Sequence, residues 1–253
     1  MKLFLRKFGE NNRPLVILHG LFGQSDNWTS LARAWSNQFS VYTVDQRNHG
    51  QSPQNEAFSY ELMAEDLKET LDAENLETID LIGHSMGGKT AMFFAMKYPQ
   101  YLRKMIVADI GPRYYKPHHQ EILAALNGID PSTIPDRGTA EKYMTEKIPD
   151  LGTRQFLLKN LYRKEDGGFD WRFNLQSISR NIENVGAAVP PEQIFTETLF
   201  LRGGNSRYIL PEDWNSMHVQ FPNATLETIE NAGHWLHAEK PQQFSEAVLN
   251  FLG

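Results

Sequence analysis

Asp80-Leu81-Ile82-Gly83-His84-Ser85-Met86-Gly87-Gly88-Lys89-Thr90-Ala91-Met92 reads as a short apolar strand, a very tight turn and the start of a helix. The turn holds G-x-S-x-G at Gly83, Ser85 and Gly87, the pattern that lifts a serine hydroxyl onto a strained strand-to-helix elbow. Side chains at Gly83 and Gly87 would collide with the neighbouring strand and helix. The helix that follows aims its N-terminal amides, and the positive end of its dipole, at whatever bonds to Ser85. The elbow fixes what must be sought elsewhere: a base, an acid and a pocket.

Working outward, Leu15-Val16-Ile17-Leu18 and Val41-Tyr42-Thr43-Val44 are continuous apolar runs, the mark of strands buried on both faces of a parallel sheet. Residues 3–8 alternate loosely and predict an edge strand. Met105-Ile106-Val107-Ala108 predicts a fifth strand after the elbow helix, which Pro99 closes. Between the strands, Asp26 or Asn27 caps a helix with apolar residues at Trp28, Leu31, Ala32 and Trp35, and Ser59 caps another carrying Leu62, Met63, Leu67 and Leu71. Strands and helices alternating from residue 15 to 110 predict an α/β protein with a mostly parallel sheet flanked by helices.

The alternation stops at about residue 113. From 113 to 194 there are helix-like pieces at 120–127, 140–147 and 153–161, punctuated by prolines at 117, 131, 135, 149, 190 and 191, and no apolar strand. This predicts a helical cap inserted over the carboxyl edge of the sheet, with a core of 1–112 and 195–253 forming one domain. The sheet rhythm resumes at Thr198-Leu199-Phe200-Leu201, then a helix over 211–221, a strand over 225–229 and a closing helix over 242–252.

Composition limits the function. With 40% hydrophobic and 22% charged residues, the 253-residue chain has the make-up of a globular protein with a sizeable core. A formal net charge of −6 argues against nucleic acid as a partner. Without cysteine there is no disulfide, thiolate nucleophile or thiolate metal site. No apolar run approaches the roughly 18 residues that span a bilayer, and the first residues are too weakly apolar for a secretory signal. The expectation is a cytoplasmic protein acting away from membranes. Nothing in the sequence sets its oligomeric state.

A serine hydroxyl is a poor nucleophile until a base takes its proton. Of eight histidines, His84 lies inside the elbow, His19 shapes the loop His19-Gly20-Leu21-Phe22-Gly23, and His118 and His119 fall in the cap. His234 follows the last strand, at the edge where sites in such sheets gather and where the order Ser, acid, His requires it. His237 is its near rival, placed in the first turn of the closing helix. The acid should orient that imidazole and balance its charge. Its usual turn after the post-cap strand reads Arg202-Gly203-Gly204-Asn205-Ser206-Arg207, with Ser206 where an aspartate is expected. The equivalent position one strand earlier holds Asp109, with Glu212 and Asp213 as alternatives. The oxyanion of an acyl-transfer intermediate needs two backbone N–H donors. Met86 supplies one, and Leu21 or its neighbour Phe22 the other.

The elbow Gly83-His84-Ser85-Met86-Gly87-Gly88-Lys89, the loop 45–53, Asp109-Ile110-Gly111-Pro112, Gly203-Gly204-Asn205-Ser206 and the segment from Gly233-His234-Trp235 to Pro241 recur together in this order. Across nearly the whole chain the sequence resembles the bacterial YbfF-type esterases and their relatives, the α/β-hydrolase domain-containing 11 proteins. The acid-free turn at Ser206 is part of the resemblance. Gly111 departs from it, standing where alanine or serine is common. The resemblance implies the α/β-hydrolase fold and a serine esterase or thioesterase acting on small acyl esters or thioesters, with Ser85, Asp109 and His234 as its triad and neither metal nor organic cofactor. The cap is less alike. Phe22, Tyr114, Phe156, Tyr162 and Trp235 are the candidates there for lining the acyl cleft, while Arg172-Phe173-Asn174 is shared with the family but has no derivable role. Two alternatives keep the same scaffold: a cofactor-free C–C hydrolase or lyase, against which Ser206 counts, and a ligand-binding homologue without turnover. Enzymes of this scaffold that use an aspartate nucleophile are excluded by Ser85.

Overall fold

The apolar runs become the centre of a seven-stranded sheet. In the computed structural model, which describes residues 1–165 and 167–253, the first five strands are β1 (Leu5–Phe8), β2 (Pro14–Leu18), β3 (Ser40–Val44), β4 (Ile79–His84) and β5 (Leu102–Ala108). Two more follow much later, β8 (Glu197–Gly203) and β9 (Ala224–Ile229). Their order is β1-β3-β2-β4-β5-β8-β9, and only the β1–β3 pair is antiparallel. Side chains that alternate along the strands feed two separate apolar layers. Val16, Leu18, Leu81 and Val107 join the helices α2 (Tyr60–Ala73) and α3 (Met86–Lys97). Leu15, Ile17, Ile82 and Ile106 join Trp28, Trp35 of α1 (Thr29–Trp35) and Phe244 of the closing helix, α11 (Pro241–Leu252). Burial on both faces is why these strands carry no polar alternation.

Several boundaries differ from the sequence reading. β1 starts at Leu5 rather than residue 3, because the Leu3 and Phe4 amides donate to Thr70 Oγ1 (2.9 Å) and Ser52 Oγ (2.8 Å) instead of a strand. The helix expected over 211–221 begins as a 3₁₀ turn, Pro211–Asp213, before α9 (Trp214–Gln220). His237 lies in a separate short helix, α10 (Leu236–Glu239), and not in the closing helix. Stacking of its ring on Trp28 at 4.2 Å holds that turn against the core.

The segment between β5 and β8 is mainly helical, with α4 (Gln120–Asn127), α5 (Arg137–Thr145), α6 (Leu151–Leu158), α7 (Leu175–Arg180) and α8 (Ile182–Val185). It also holds an antiparallel hairpin, β6 (Leu161–Arg163) with β7 (Phe169–Trp171), where no strand is expected; the helix expected over 153–161 is α6, which ends at Leu158. Three-residue strands are too short to show a period; Leu161, Phe169 and Trp171 simply turn inward and bury. No helix among the described residues is long and apolar enough to cross a membrane.

The two ends of this segment are tied together beneath α3. Lys89, fully buried, sends its ammonium to the carbonyls of Pro112 (3.0 Å) and Arg113 (2.6 Å) on the outgoing chain and Ala187 (2.7 Å) on the returning one. The Tyr115 amide donates to Gly186 O (2.9 Å) and the Val189 amide to Pro112 O (2.8 Å). Burial, and secondarily the Arg113 cation, push the Lys89 ammonium down to about 7. Its folded value therefore lies below its unfolded one, so between them the unfolded chain binds more protons and stability rises with pH. Comparing wild type with Lys89→Met by urea unfolding, the stability difference should grow by about 1.4 kcal/mol per pH unit from pH 7 to 9 in favour of wild type. A flat difference would mean that the three carbonyls keep the ammonium charged throughout.

Candidate active site

Two adjacent parallel strands end at the site with unusual backbones. Ser85 follows β4 at φ +52°, and Asp109 follows β5 at φ +53°, both in the left-handed region that non-glycine residues avoid. The Ser85 amide donates to Ala108 O at 2.9 Å and the Asp109 amide to Leu201 O at 2.7 Å. At the elbow a Cβ on Gly83 would lie 2.2 Å from Gly87 O, and one on Gly87 would lie 2.4 Å from Leu18 O. Only glycine lets strand, helix and β2 come this close.

The structure brings three of the sequence-derived residues into one series. Ser85 Oγ lies 3.0 Å from His234 Nε2, and His234 Nδ1 lies 2.7 Å from Asp109 Oδ2. Asp109 is wholly buried, while Ser85 and His234 are half-buried. Among the described residues His234 is the one imidazole paired with a carboxylate. With Nδ1–H donating to that carboxylate, Nε2 is left to accept the serine proton. Asp109 takes two further donors, the Gly203 amide on Oδ1 (3.0 Å) and the Ser206 hydroxyl on Oδ2. Ser206, in the turn where an aspartate is expected, thus bonds to the aspartate that stands elsewhere. Glu212 and Asp213 do not reach His234; Asp213 Oδ2 instead accepts from the Leu210 amide (2.8 Å) and Arg113 Nε (3.3 Å).

Other groups fix the imidazole. His84 Nε2 donates to His234 O at 2.8 Å, and the Tyr208 ring stacks on the His234 ring at 4.0 Å. Tyr208 is itself held: its carbonyl accepts from Tyr115 OH (2.5 Å), and its hydroxyl meets His118 Nε2 (2.8 Å). Sequence reasoning passed over Tyr208, which has no motif around it.

The loop after β2 is braced by imidazoles. His19 Nδ1 donates to Gly20 O (2.8 Å) while Nε2 accepts from the Gln46 amide (3.0 Å). His49 Nε2 accepts from the Phe22 amide at 3.1 Å, and the Phe22 carbonyl accepts from Asn160 Nδ2 at 2.8 Å. Phe22, at φ +59°, is therefore pinned on both sides, and its N–H is committed to His49. Burial pushes His19 down to about 4 and His49 and His237 down to about 3, and takes His84 well below its ordinary value. These rings are neutral at pH 7 and act as bracing, not as charges.

A cavity of about 270 Å³ opens at Ser85, walled by Phe22, Trp28, Phe156, Leu157, His234 and Trp235 among others. Phe22, Phe156 and Trp235 thus line it as expected, with the Phe156 and Trp235 rings 5.8 Å apart. Tyr114 and Tyr162 do not. Tyr114 is half exposed and its hydroxyl reaches Glu183 at the surface (3.3 Å), while Tyr162 alternates outward from buried Leu161 and lies under the Arg172 guanidinium. Nor is Arg172-Phe173-Asn174 without a role. Phe173 packs edge-on against Phe22, and the Asn174 side chain caps α7 while its amide donates to Asn48 O (2.8 Å).

Known proteins share this arrangement of elements. A profile of the alpha/beta hydrolase fold matches residues 13–133. The mouse sn-1-specific diacylglycerol lipase ABHD11 is 40% identical over 94% of this chain and 80% of its own length. Esterase YbfF of Escherichia coli K12 is 37% identical over 96% of this chain and 94% of its own. The solved structure of a marine microorganism esterase is 46% identical, with a TM-score of 0.97 over 99% of both chains.

The Ser206 bond has a measurable consequence. Ser206→Ala removes a hydrogen bond to a charged group, worth about 1.5 kcal/mol or more, while the Gly203 amide remains. Covalent modification of Ser85 by a fluorophosphonate should slow by roughly tenfold, with a fall in melting temperature of only about 3–6 °C. An unchanged rate would show that Gly203 alone orients Asp109.

Proposed function

Because the chain belongs to the α/β-hydrolase fold family, we propose that it is a serine carboxylesterase whose acyl-enzyme forms on Ser85. His234 takes the Ser85 proton through Nε2 as the hydroxyl attacks the ester carbonyl, and Asp109 holds and charge-balances the imidazolium. The oxyanion lies against the Met86 and Leu21 amides. The commitment of the Phe22 N–H to His49 supports Leu21 over Phe22 as the second donor. His234 returns its proton to the leaving oxygen, then activates water to hydrolyse the acyl-enzyme. Residues 113–194 act as the cap that closes the cleft and bring Phe156 to its wall. A thioester would follow the same path with a thiolate leaving.

The observation that carries this reading is the series Ser85 Oγ to His234 Nε2 to Asp109, at 3.0 and 2.7 Å. Esterase and lipase activity in the relatives named above supports it, as does a cavity wall in which, among the described residues, no Asp, Glu, Lys or Arg stands. Ser85→Ala should abolish both fluorophosphonate labelling and multiple-turnover hydrolysis of p-nitrophenyl acetate. Asp109→Asn should lower kcat by about 10⁴-fold, the size of the loss when a triad aspartate is neutralised in serine proteases. If Asp213→Asn or Glu212→Gln did so instead, the acid would be misassigned. Acetyl thioesters run alongside would rank thioester against ester.

A further inference from the structure

Ser85 lies at the junction of two cavities of very different size. The larger, about 270 Å³, has His234 in its wall; the smaller, about 30 Å³, has Met86 but not His234. Resting on the serine-esterase reading, we propose that the small cavity is the acyl site and the large one the alcohol site, so that the substrates are acetyl or propionyl esters of bulky, uncharged alcohols.

The assignment follows from the tetrahedral carbon. Besides Ser85 Oγ it carries an oxyanion, a leaving oxygen and the acyl chain. The oxyanion faces the Met86 and Leu21 amides. The leaving oxygen must meet His234 Nε2, which returns the proton it took from the serine. The alcohol therefore extends into the cavity that His234 walls, and the acyl chain takes the other, which is floored by Tyr60, Ile110, Ile182 and Val185. A water-sized group needs roughly 10–15 Å³ of such space, so about 30 Å³ admits one or two carbons beyond the carbonyl.

This floor is held in place. Tyr60 is buried, its hydroxyl donates to Val185 O at 2.6 Å, and its ring stacks on Phe93 at 5.3 Å. The Gly186 carbonyl next to it accepts from the Tyr115 amide. A longer chain would have to displace α8 from α2, at an overpacking cost of about 1–3 kcal/mol. On the other side, Trp28, Phe156, Leu157 and Trp235 offer apolar surface, and among the described residues no Asp, Glu, Lys or Arg lines the wall. A charged leaving group would find no carboxylate, ammonium or guanidinium there to pair with, only imidazole, amide and hydroxyl groups such as His119, Asn27 and Thr153.

The test uses the purified protein with p-nitrophenyl esters from acetyl to octanoyl, and separately with ethyl, benzyl and naphthylmethyl acetates. From propionyl to hexanoyl, kcat/KM should fall by roughly tenfold or more, while the aryl-alkyl acetates should be hydrolysed at least as well as ethyl acetate. Ile182→Ala should raise the hexanoyl-to-acetyl ratio roughly tenfold; if circular dichroism shows that variant unfolded, Val185→Ala serves the same purpose. A wild-type preference for octanoyl over acetyl, or a ratio unmoved in a folded variant, overturns the assignment while leaving the esterase reading intact. Failure of every ester together with failure of fluorophosphonate labelling overturns both.

Discussion

The hydrogen bond from the Ser85 amide to Ala108 O is the contact on which the site depends. It ties the end of β4 to the end of β5, and one residue later the Asp109 amide repeats the move onto Leu201 of β8. Each bond fixes a residue in the left-handed region, at a backbone cost of order 1–3 kcal/mol that only a rigid surrounding can impose. Here the surrounding is a parallel sheet buried on both faces. Its regular spacing sets two polar side chains side by side at the carboxyl edge, where a histidine arriving from beyond the last strand can bridge them. The sheet supplies the precision, and the loops supply only the third group.

Around that core the polar side chains form a supporting shell rather than further reactive centres. Six buried or half-buried imidazoles stand near Ser85, yet burial keeps His19, His49, His84, His119 and His237 neutral, and each is used for a hydrogen bond or a stack. A neutral ring can both donate and accept, which suits a crowded site where backbone groups of both kinds need partners. His234 differs in having a carboxylate behind it and an opening in front.

Much of this is legible in the sequence, for reasons that also explain what is not. Strands buried on both faces must be apolar throughout, so 15–18, 41–44 and 105–108 announce themselves. The elbow needs glycine at 83 and 87 because backbone atoms occupy the space a Cβ would take. The missing acid at Ser206 directs attention to Asp109, and the structure brings that residue to His234. What Ser206 does instead is a contact across 97 residues of chain, with no periodic trace. The stack of Tyr208 on His234 is equally silent. The β6–β7 hairpin is too short to alternate visibly, and Tyr114 and Tyr162 look like pocket residues only until the direction of each side chain is known. Sequence pattern reports burial and backbone demand; it does not report which way a lone aromatic turns.

The lysine clamp under α3 has a consequence for how such a protein can change. It joins Pro112 and Arg113 to Ala187 through one ammonium, so the long excursion between them leaves and re-enters the fold at nearly a single point. An excursion closed in this way is thermodynamically a loop, and the entropy of closing a loop grows only with the logarithm of its length. Away from the residues that pack on the core, such as Phe173 and Asn160, chain can be gained or lost beyond the clamp at small closure cost. The clamp thereby separates a sheet whose geometry must stay constant from an excursion whose length is free to vary.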